Sequence, residues 1–592
     1  TGTSGLSGVT GVVLSKNSTL ENNNTIDIDS RSGVGVYLKG GTIINRGTIN
    51  VAGKGAVEEY DMTKNATSKP MGDVIIDAPA GSPTAKIIVA GKGEVQPTLV
   101  TTTAENPITV SASSIGLYVD TSSKNYTRSI DNLGALTSEA DLIIGVEAAE
   151  NTSSKYIQIN DRNILDTYNR TIVYGGVSKW NVYSGALTWM ATPTLDPDTG
   201  EITNLYMAKA SYTNWATNSK VTPTKVTDTY NFADGLEQRY GIKALGTREN
   251  QIYQKLNSIG NNEEILLYQA FDEMMGHQYG NLQQRINATG NLLDKEFNHL
   301  RKDWRKPSKQ NSKIKVFGMR DEYNSDTAGV INYTSNAYGV AYVHENDTVK
   351  LGNSSGWYAG AVTNRFRFKD IGNSRENQTI LKAGIFKTMS PSGDYNGSLR
   401  WTVSGDMFAG INDMKRRYLV VDEIFQAKSD YYSYGAAIKN ELGYDIRLSQ
   451  RTHLRPYGAL KMEYGRFNNI KEDRGEMRLE VKGNDYFSVK PEVGMEFRYV
   501  QPLAVRTNLS VGLTAAYENE LGKVGENNNK ARVRYTSADW FGIRGEKDDR
   551  KGSGKFDLNI GIDNTRFGVT VNAGYDTKGK NVRGGIGFRA IY

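Results

Sequence analysis

The last stretch of the chain constrains its fold more than any other. From Lys555 to Ile562 the residues alternate without exception: Phe556, Leu558, Ile560 and Ile562 on one face, Lys555, Asp557, Asn559 and Gly561 on the other. Asn564-Thr565 makes a short turn. The next segment then sets Phe567, Val569, Val571, Ala573 and Tyr575 against Thr570, Asn572, Gly574 and Asp576. A period of two means strand, because successive Cβ atoms point to opposite faces. A soluble sheet can present one greasy and one charged face once or twice. Repeated along nearly half a chain, the pattern predicts a membrane β-barrel with lipid outside and a polar lumen inside.

Such segments recur near 313–322, 334–345, 356–368, 378–388, 397–410, 430–448, 452–466, 485–499, 503–519, 553–563, 566–576 and 581–592. The number is even, as antiparallel closure favours. In one of them Phe487, Val489, Pro491, Val493, Met495, Phe497 and Tyr499 are expected toward lipid, with Lys490, Glu492, Glu496 and Arg498 inside. In the next, Val505, Leu509, Val511, Leu513 and Tyr517 are expected outside, with Arg506, Asn508, Ser510 and Glu518 inside. Short connections are expected at Gln450-Arg451, Gln501-Pro502 and Asn564-Thr565, and long polar ones at 411–429, 467–484 and 520–552. Lumen charges of both signs (Lys439, Glu441, Asp445, Arg447, Arg455, Lys461, Glu463) read as structural pairs, the alternative being an ion-selective pore.

Composition is consistent with this reading. No run of eighteen apolar residues exists, so no transmembrane helix is predicted. A barrel hides its hydrophobicity by alternation, so a mean hydropathy of −0.52 is no obstacle. The 34 tyrosines suit interfacial girdles, and the 62 glycines suit tight turns and a crowded inner wall. With no cysteine there is no disulfide, thiolate metal site or cysteine nucleophile. The net charge of +6, with acids and bases interspersed, does not suggest nucleic-acid binding. A length of 592 residues predicts more than one domain, and the start at Thr1 reads as a mature or truncated C-terminal portion.

Residues 1–155 have a different texture, rich in Thr, Ser, Asn, Gly and β-branched residues. Ile49-Asn-Val-Ala-Gly-Lys-Gly-Ala-Val57 is echoed by Ile87-Ile-Val-Ala-Gly-Lys-Gly-Glu-Val95, and Thr25-Ile26 by Thr48-Ile49. Short β-branched strands, recurring about every 20-odd residues between Gly and Asn, predict a right-handed parallel β-helix. A β-sandwich with accidental echoes is the alternative. In residues 156–235, Trp180, Trp189 and Trp215 are expected to cap the open end of that stack, which would otherwise expose unpaired backbone. Asp196-Pro-Asp-Thr-Gly200 reads as a hairpin turn, since a calcium loop would need a further acid and a distal Glu.

Residues 236–311 turn helical. Leu282, Ile286, Thr289, Leu293, Phe297, Leu300 and Trp304 form one narrow apolar stripe on an otherwise polar helix. Over about 281–305 it would span about 37 Å, enough to cross a membrane core of about 30 Å. Arg285, Asp294, Lys295, Glu296, Arg301 and Lys302 make it too polar for lipid. A polar barrel lumen suits it, and a bundle helix is the alternative.

Catalytic motifs are thin. The four histidines, His277, His299, His344 and His453, all follow residue 235, so no Ser-His-Asp triad can assemble within 1–235. Gly352-Asn-Ser-Ser-Gly356 joins two barrel strands rather than a strand and a helix, and reads as a hairpin loop. No zinc His pair or phosphate loop is present. No catalytic residue, metal or cofactor is expected.

A Gly-rich β-helix stalk, a Trp-bearing segment, a pore-length helix and a twelve-stranded barrel over 312–592, ending Ile586-Gly587-Phe588-Arg-Ala590-Ile-Tyr592, together resemble a monomeric (type Va) autotransporter. The stalk coils look most like the large fusobacterial autotransporter adhesins. The resemblance implies a translocator barrel in outer-membrane lipid that carries its own passenger to the cell surface. Ile586, Gly587, Phe588, Ala590 and Tyr592 would form the signal read by the barrel-assembly machinery, with Ala590 smaller than usual there. Periplasmic chaperones would be further partners, and an unknown receptor or glycan on host or bacterial cells the passenger's target. The segment near 156–230 would act as an autochaperone. Some relatives cleave themselves at an Asn-Asn pair in the pore helix. The comparable pair here, Asn261-Asn262, falls in a turn before the helix, so the passenger is expected to stay attached. An enzymatic passenger upstream of Thr1 and a stand-alone pore are the alternatives.

Overall fold

A computed structural model describes residues 139–591 apart from 160–164, 167, 170–171, 173–178, 217–222, 262, 303–309, 348–352, 394–395, 525–528 and 547–549. Before residue 139 it describes 10–15, 18–29, 34–39, 42–52, 57–61, 74–77, 86–89, 93–95 and 114–117. The chain forms two compact units. The first runs to Phe271 and includes 420–423 and 535–538; the second holds the rest.

In the first unit, β-branched stretches pair in parallel. Thr10–Ser15 lies beside Val34–Lys39 and that beside Val57–Asp61; Thr19–Asn22 lies beside Thr42–Asn45, and Thr25–Asp29 beside Thr48–Ala52. Ile26 faces Ile49, the repeat read in the sequence. Leu14, Val36 and Ile49 form a small buried core. Like amides meet across the same step, with Asn22 Nδ2 donating to Asn45 Oδ1 at 2.8 Å. The second Ala-Gly-Lys-Gly segment departs from the expectation. Lys86–Val89 pairs antiparallel with both Val74–Asp77 and Gly93–Val95. Val89 faces Gly93 with only residues 90–92 between them, and so short a connection makes a hairpin rather than a crossover between parallel strands.

Further on, Ser114–Leu117, Glu139–Ile144 and Lys179–Ser184 are again parallel, and Tyr156–Ile159, Ile202–Lys209 and Trp189–Leu195 form an antiparallel sheet. Asp196 closes its predicted turn by accepting from the Asp198 and Thr199 amides at 2.9 Å. Helices α1 (Val226–Arg239), α2 (Arg248–Asn257) and α3 (Glu264–Met274) follow.

Trp180 and Trp189 donate to separate partners. Trp180 is buried, its Nε1 donating to Tyr168 O at 3.1 Å, while Trp189 Nε1 donates to Asn257 Oδ1 of α2 at 3.0 Å. Trp215 is half-buried in a 3-10 turn, Tyr212–Trp215. The centre is Tyr212, fully buried and ringed by Tyr240, Tyr253 and Phe271 at 6.0–6.4 Å, with Lys209 Nζ 3.5 Å above its ring. Lys209 and Lys155 both bind Glu237 of α1, at 2.5 and 2.6 Å. Burial would raise the Glu237 carboxyl, but the two ammonium groups outweigh it and lower it to about 2.

In the second unit, twelve long strands alternate as the sequence dictates. They are β1 (Asn311–Tyr323), β2 (Tyr333–Asp347), β3 (Ser354–Phe368), β4 (Arg375–Met389), β5 (Gly397–Val420), β6 (Glu423–Arg447), β7 (Thr452–Phe467), β8 (Asn484–Ala504), β9 (Thr507–Glu518), β10 (Ser553–Asp563), β11 (Phe567–Asp576) and β12 (Asn581–Ile591). Each pairs antiparallel with the next, and β12 pairs antiparallel with β1, so the sheet closes and has no free edge. Phe487, Val493, Met495, Leu513, Tyr517, Phe556, Leu558, Ile560, Ile562, Val569 and Val571 are all exposed on the outer face.

Three details correct the sequence reading. The expected loop at 411–429 is strand: β5 and β6 rise past it and turn at Val421-Asp422. The turn expected at Gln501-Pro502 lies at Val505-Arg506, where Arg506 takes φ 65°. This turn leaves Arg506 outside the lumen. Arg447, expected among the lumen charges, is exposed at the end of β6.

Candidate translocation pore: a helix held in the barrel lumen

Through the second unit runs α4, Leu282–Lys302. Its 21 residues span about 31 Å, the thickness of a hydrocarbon core. Leu282, Ile286, Leu293, Phe297 and Leu300 are all buried. Trp304 and Tyr592 lie outside the described residues. The apolar stripe packs on the β2–β3 wall, where Gly360 of β3 makes the close approach possible. A Cβ there would stand 2.8 Å from Leu293 Cδ2 and 3.0 Å from Phe297 Cζ. The Phe297 ring also lies 4.6 Å from that of Tyr358.

The polar faces of α4 are tied to the wall by charge. Arg285 pairs with Glu376 of β4 and donates to Gly280 O at 2.6 Å and Gln278 O at 3.0 Å. Thr289 Oγ1 donates to Gln378 Oε1 at 3.0 Å and accepts from Asn364 Nδ2 at 3.1 Å. Asn287 Nδ2 donates to Glu463 of β7 at 2.8 Å, and its Oδ1 accepts from Lys490 of β8 at 2.9 Å. Asp294 accepts from Lys382 at 2.9 Å and from Lys461 at 2.5 Å. Lys295 pairs with Asp576 and Glu296 with Lys315. At the far end Lys313 Nζ donates to Leu300 O at 2.8 Å, a cation on the helix's carbonyl terminus. The expected lumen charges also pair among themselves, as in Arg455 with Glu441 and Glu496 at 2.8 and 3.0 Å.

The mouth where α4 begins is latched by a network the sequence did not announce. Gly280 passes so close to the 539–546 segment that a Cβ would lie 2.1 Å from Arg544 O. Tyr279 Oη bonds Ser429 Oγ at 2.9 Å and Glu472 at 3.0 Å, and Arg416 forks onto Glu472 at 2.8 Å through both nitrogens. Asn529 donates to Tyr279 O and Gln283 Oε1, both at 3.0 Å. Asp272 takes Arg544 at 2.7 Å and His277 at 3.4 Å; burial opposes its charge, but these two hold it well below the usual carboxylate range. Neighbouring Glu273 is raised to about 7 by burial and by the charges of Asp370 and Asp272. The partners come from loops far apart in sequence, so no local pattern marks them.

The helix leaves room beside itself. A cavity of about 130 Å³ lies between Lys295–His299 and the β8–β12 wall, and one of about 430 Å³ lies at the mouth beside Gln284, Asn287 and Asn291. In the closing strand Ile586 and Phe588 are exposed to the lipid side, while Gly587 faces inward near Leu300.

A closed antiparallel barrel, apolar outside, polar inside and filled by a helix of its own chain, defines a membrane β-barrel plugged by the segment that precedes it. Residues 313–574 match the family model of the autotransporter beta-domain, and this part of the chain belongs to that family. The protein is an outer-membrane autotransporter, with its barrel in the membrane and its passenger on the cell surface. The translocator barrel is not itself catalytic.

Among solved structures, the chain is similar to the translocator domain of NalP from Neisseria meningitidis, at 12% identity and TM-score 0.39, over 53% of this chain and 99% of that one. It is also similar to the transport unit of AIDA-I from Escherichia coli, at 13% and 0.37, over 49% and 92%. The beta domain of the Bordetella autotransporter BrkA follows, at 11% and 0.35, over 48% and 100%. No curated protein sequence matches the chain.

Proposed function

We propose that this chain displays and anchors a surface adhesin, residues 1–155 forming the membrane-proximal β-helical stalk of its passenger. In this reading residues 156–235 close the stalk and assist its folding, 236–311 carry the linker and pore helix, and 312–592 the translocator. The observation that carries the anchoring is the charge-paired seat of α4. A helix held by Arg285, Asp294 and Lys295 to strands on several sides of the lumen is a tether, not a transient occupant. The pair Asn261-Asn262 precedes the helix, so the passenger stays covalently attached. The adhesive role is supported by the repeated, Asn- and Thr-rich strands of the stalk and by the lack of any histidine before His277. Contacts with the barrel-assembly machinery through Ile586, Phe588, Ala590 and Tyr592, with periplasmic chaperones, and with a receptor or glycan on other cells complete the proposal.

The test is surface display of the chain in a non-adherent Gram-negative host. Cell–cell or host-cell adhesion is expected, and deletion of the passenger should abolish it while the barrel still inserts. Adhesion that survives the deletion overturns the adhesive reading, and hydrolytic activity of the displayed passenger favours the enzymatic one.

A further inference from the structure

On the outer face of the barrel, near the mouth where α4 begins, three cations stand in one row. The register sets Arg367 of β3 opposite Arg375 of β4, and Arg375 opposite Lys415 of β5. Their neighbours Phe366, Glu376 and Arg416 are buried toward the lumen, so the two-residue period turns the three cations outward. Arg367 and Arg375 are exposed and Lys415 is half-buried. One rung nearer the barrel's middle Arg320 and Arg365 also face outward, on either side of Asn336. Arg365 is engaged by Tyr338, its Nη2 donating to Oη at 3.1 Å. Glu322, the acid at the end of the three-cation rung, is taken by Lys369 at 2.6 Å. Among the described residues Arg367, Arg375 and Lys415 have no acidic partner.

Like charges directly opposite on adjacent strands, about 4.8 Å apart, repel one another. Such a row is stable where an anion lies across it, and its position says which anion. The next rung, that of Arg320 and Arg365, also carries Asn377 and one exposed carboxylate, Asp413, on the same face. From the second rung toward the barrel's middle the face turns apolar: Leu381, Ile385, Met407 and Ile411 are 58–71% exposed. The row therefore sits on the rim of the lipid-facing band. The inward neighbour Glu376 pairs with Arg285 in the first turn of α4, so this is the rim at which the passenger-bearing end of the helix lies. That rim meets the membrane's outward leaflet.

We propose that Arg367, Arg375 and Lys415 bind the phosphate groups of a phosphorylated glycolipid of the outer leaflet. The guanidinium forks match phosphate oxygens bidentately, and the acyl chains lie along Leu381 and Ile411. The site gives the barrel a charged collar that fixes its depth in the leaflet. This rests on the outer-membrane orientation and is independent of what the passenger binds.

The experiment uses the full chain in detergent stripped of lipid. It is titrated with bisphosphorylated lipid A, with the dephosphorylated form, or with inorganic phosphate, and bound glycolipid is counted by native mass spectrometry. Binding of the bisphosphorylated form is expected, weaker by about tenfold or more without phosphates or in the R367Q/R375Q/K415Q variant. K387Q, an exposed cation at the other end of β4, should bind as the parent does. Equal binding by the triple variant, or full competition by inorganic phosphate at matched concentration, overturns the proposal. A second readout separates binding from folding. R375Q should melt at the same or higher temperature than the parent without glycolipid, and lower with it. Destabilisation of equal size in both conditions overturns the proposal as well.

Discussion

The two units are built inside out with respect to one another. In the first, Leu142, Ile144 and Trp180 are fully buried, and the ion pairs range from exposed Arg46–Glu21 to buried Lys209–Glu237. In the second, Ile560, Val571 and Phe588 are exposed, while Arg285, Lys382 and Glu463 are buried. The same residue types take opposite positions because the solvents differ: water surrounds one unit, and lipid the strands of the other. Apolar burial drives the first fold. In the barrel, lipid is as apolar as the side chains facing it, so closure of the backbone ladder and pairing of lumen charges must carry the structure.

The largest expected effect follows from that contrast. Asp294→Ala leaves Lys382 and Lys461 without their shared carboxylate beside α4. Breaking a buried pair costs about 3–5 kcal/mol. The seated helix should loosen, seen as raised ion conductance and faster proteolysis within 282–302, while the barrel stays heat-modifiable on gels.

Next comes a matched pair. Ile144→Ala in the first unit should cost about 2–5 kcal/mol, as a cavity in a packed core does. Ile560→Ala in the barrel should cost less than about 1 kcal/mol, since lipid fills the space. Ile560→Arg should instead cost about 2–4 kcal/mol, the expense of a cation near the bilayer's middle. Denaturant titrations in detergent measure all three, and equal costs for the two alanine variants would break the inside-out contrast. Below Ile144→Ala in size is Gly360→Ala, where the new methyl meets Val340 O as well as Leu293 and Phe297; about 1–3 kcal/mol is expected, from the same titration.

The smallest effects are pH slopes of opposite sign. Glu237 is lowered to about 2 in the folded first unit, below its ordinary 4.5. Its contribution is present above pH 4.5 and is lost as pH falls toward 2. Glu273 is raised to about 7, so its contribution is present below pH 4.5 and is lost as pH rises toward 7. Glu237→Gln and Glu273→Gln should each flatten only their own slope in melting temperature against pH.

The barrel was legible because period two is a strong signal wherever two solvents differ across a sheet. All twelve strands were found, several with ends within two residues. It failed where that contrast fades. Along Asn412–Tyr418 the outward side chains are Asp413, Lys415 and Arg417 and the buried inward ones Asn412, Met414, Arg416 and Tyr418, so the apolar-out alternation is lost and the strand looks like a loop. Val505-Arg506 turns without glycine or asparagine, so Pro502 drew the turn to the wrong place. The apolar stripe of α4 was readable at helical spacing. Its electrostatic seat was readable only in outline, because Asp294 meets Lys461 across 167 residues. The tryptophans were conspicuous, yet the packing centre is Tyr212, whose ring partners lie just past the end of α1, on α2 and on α3.

The central claim is that α4 occupies the lumen. The chain has no cysteine, so a single engineered pair is a clean reporter. Thr289 and Asn364 touch across the helix–wall contact at 3.1 Å. With both replaced by cysteine, a short bifunctional thiol reagent applied to intact outer membranes should join them, shifting mobility on denaturing gels. No crosslink, together with free labelling of the residue 289 thiol by a bulky lipid-phase reagent, would place the helix outside the barrel and contradict the account.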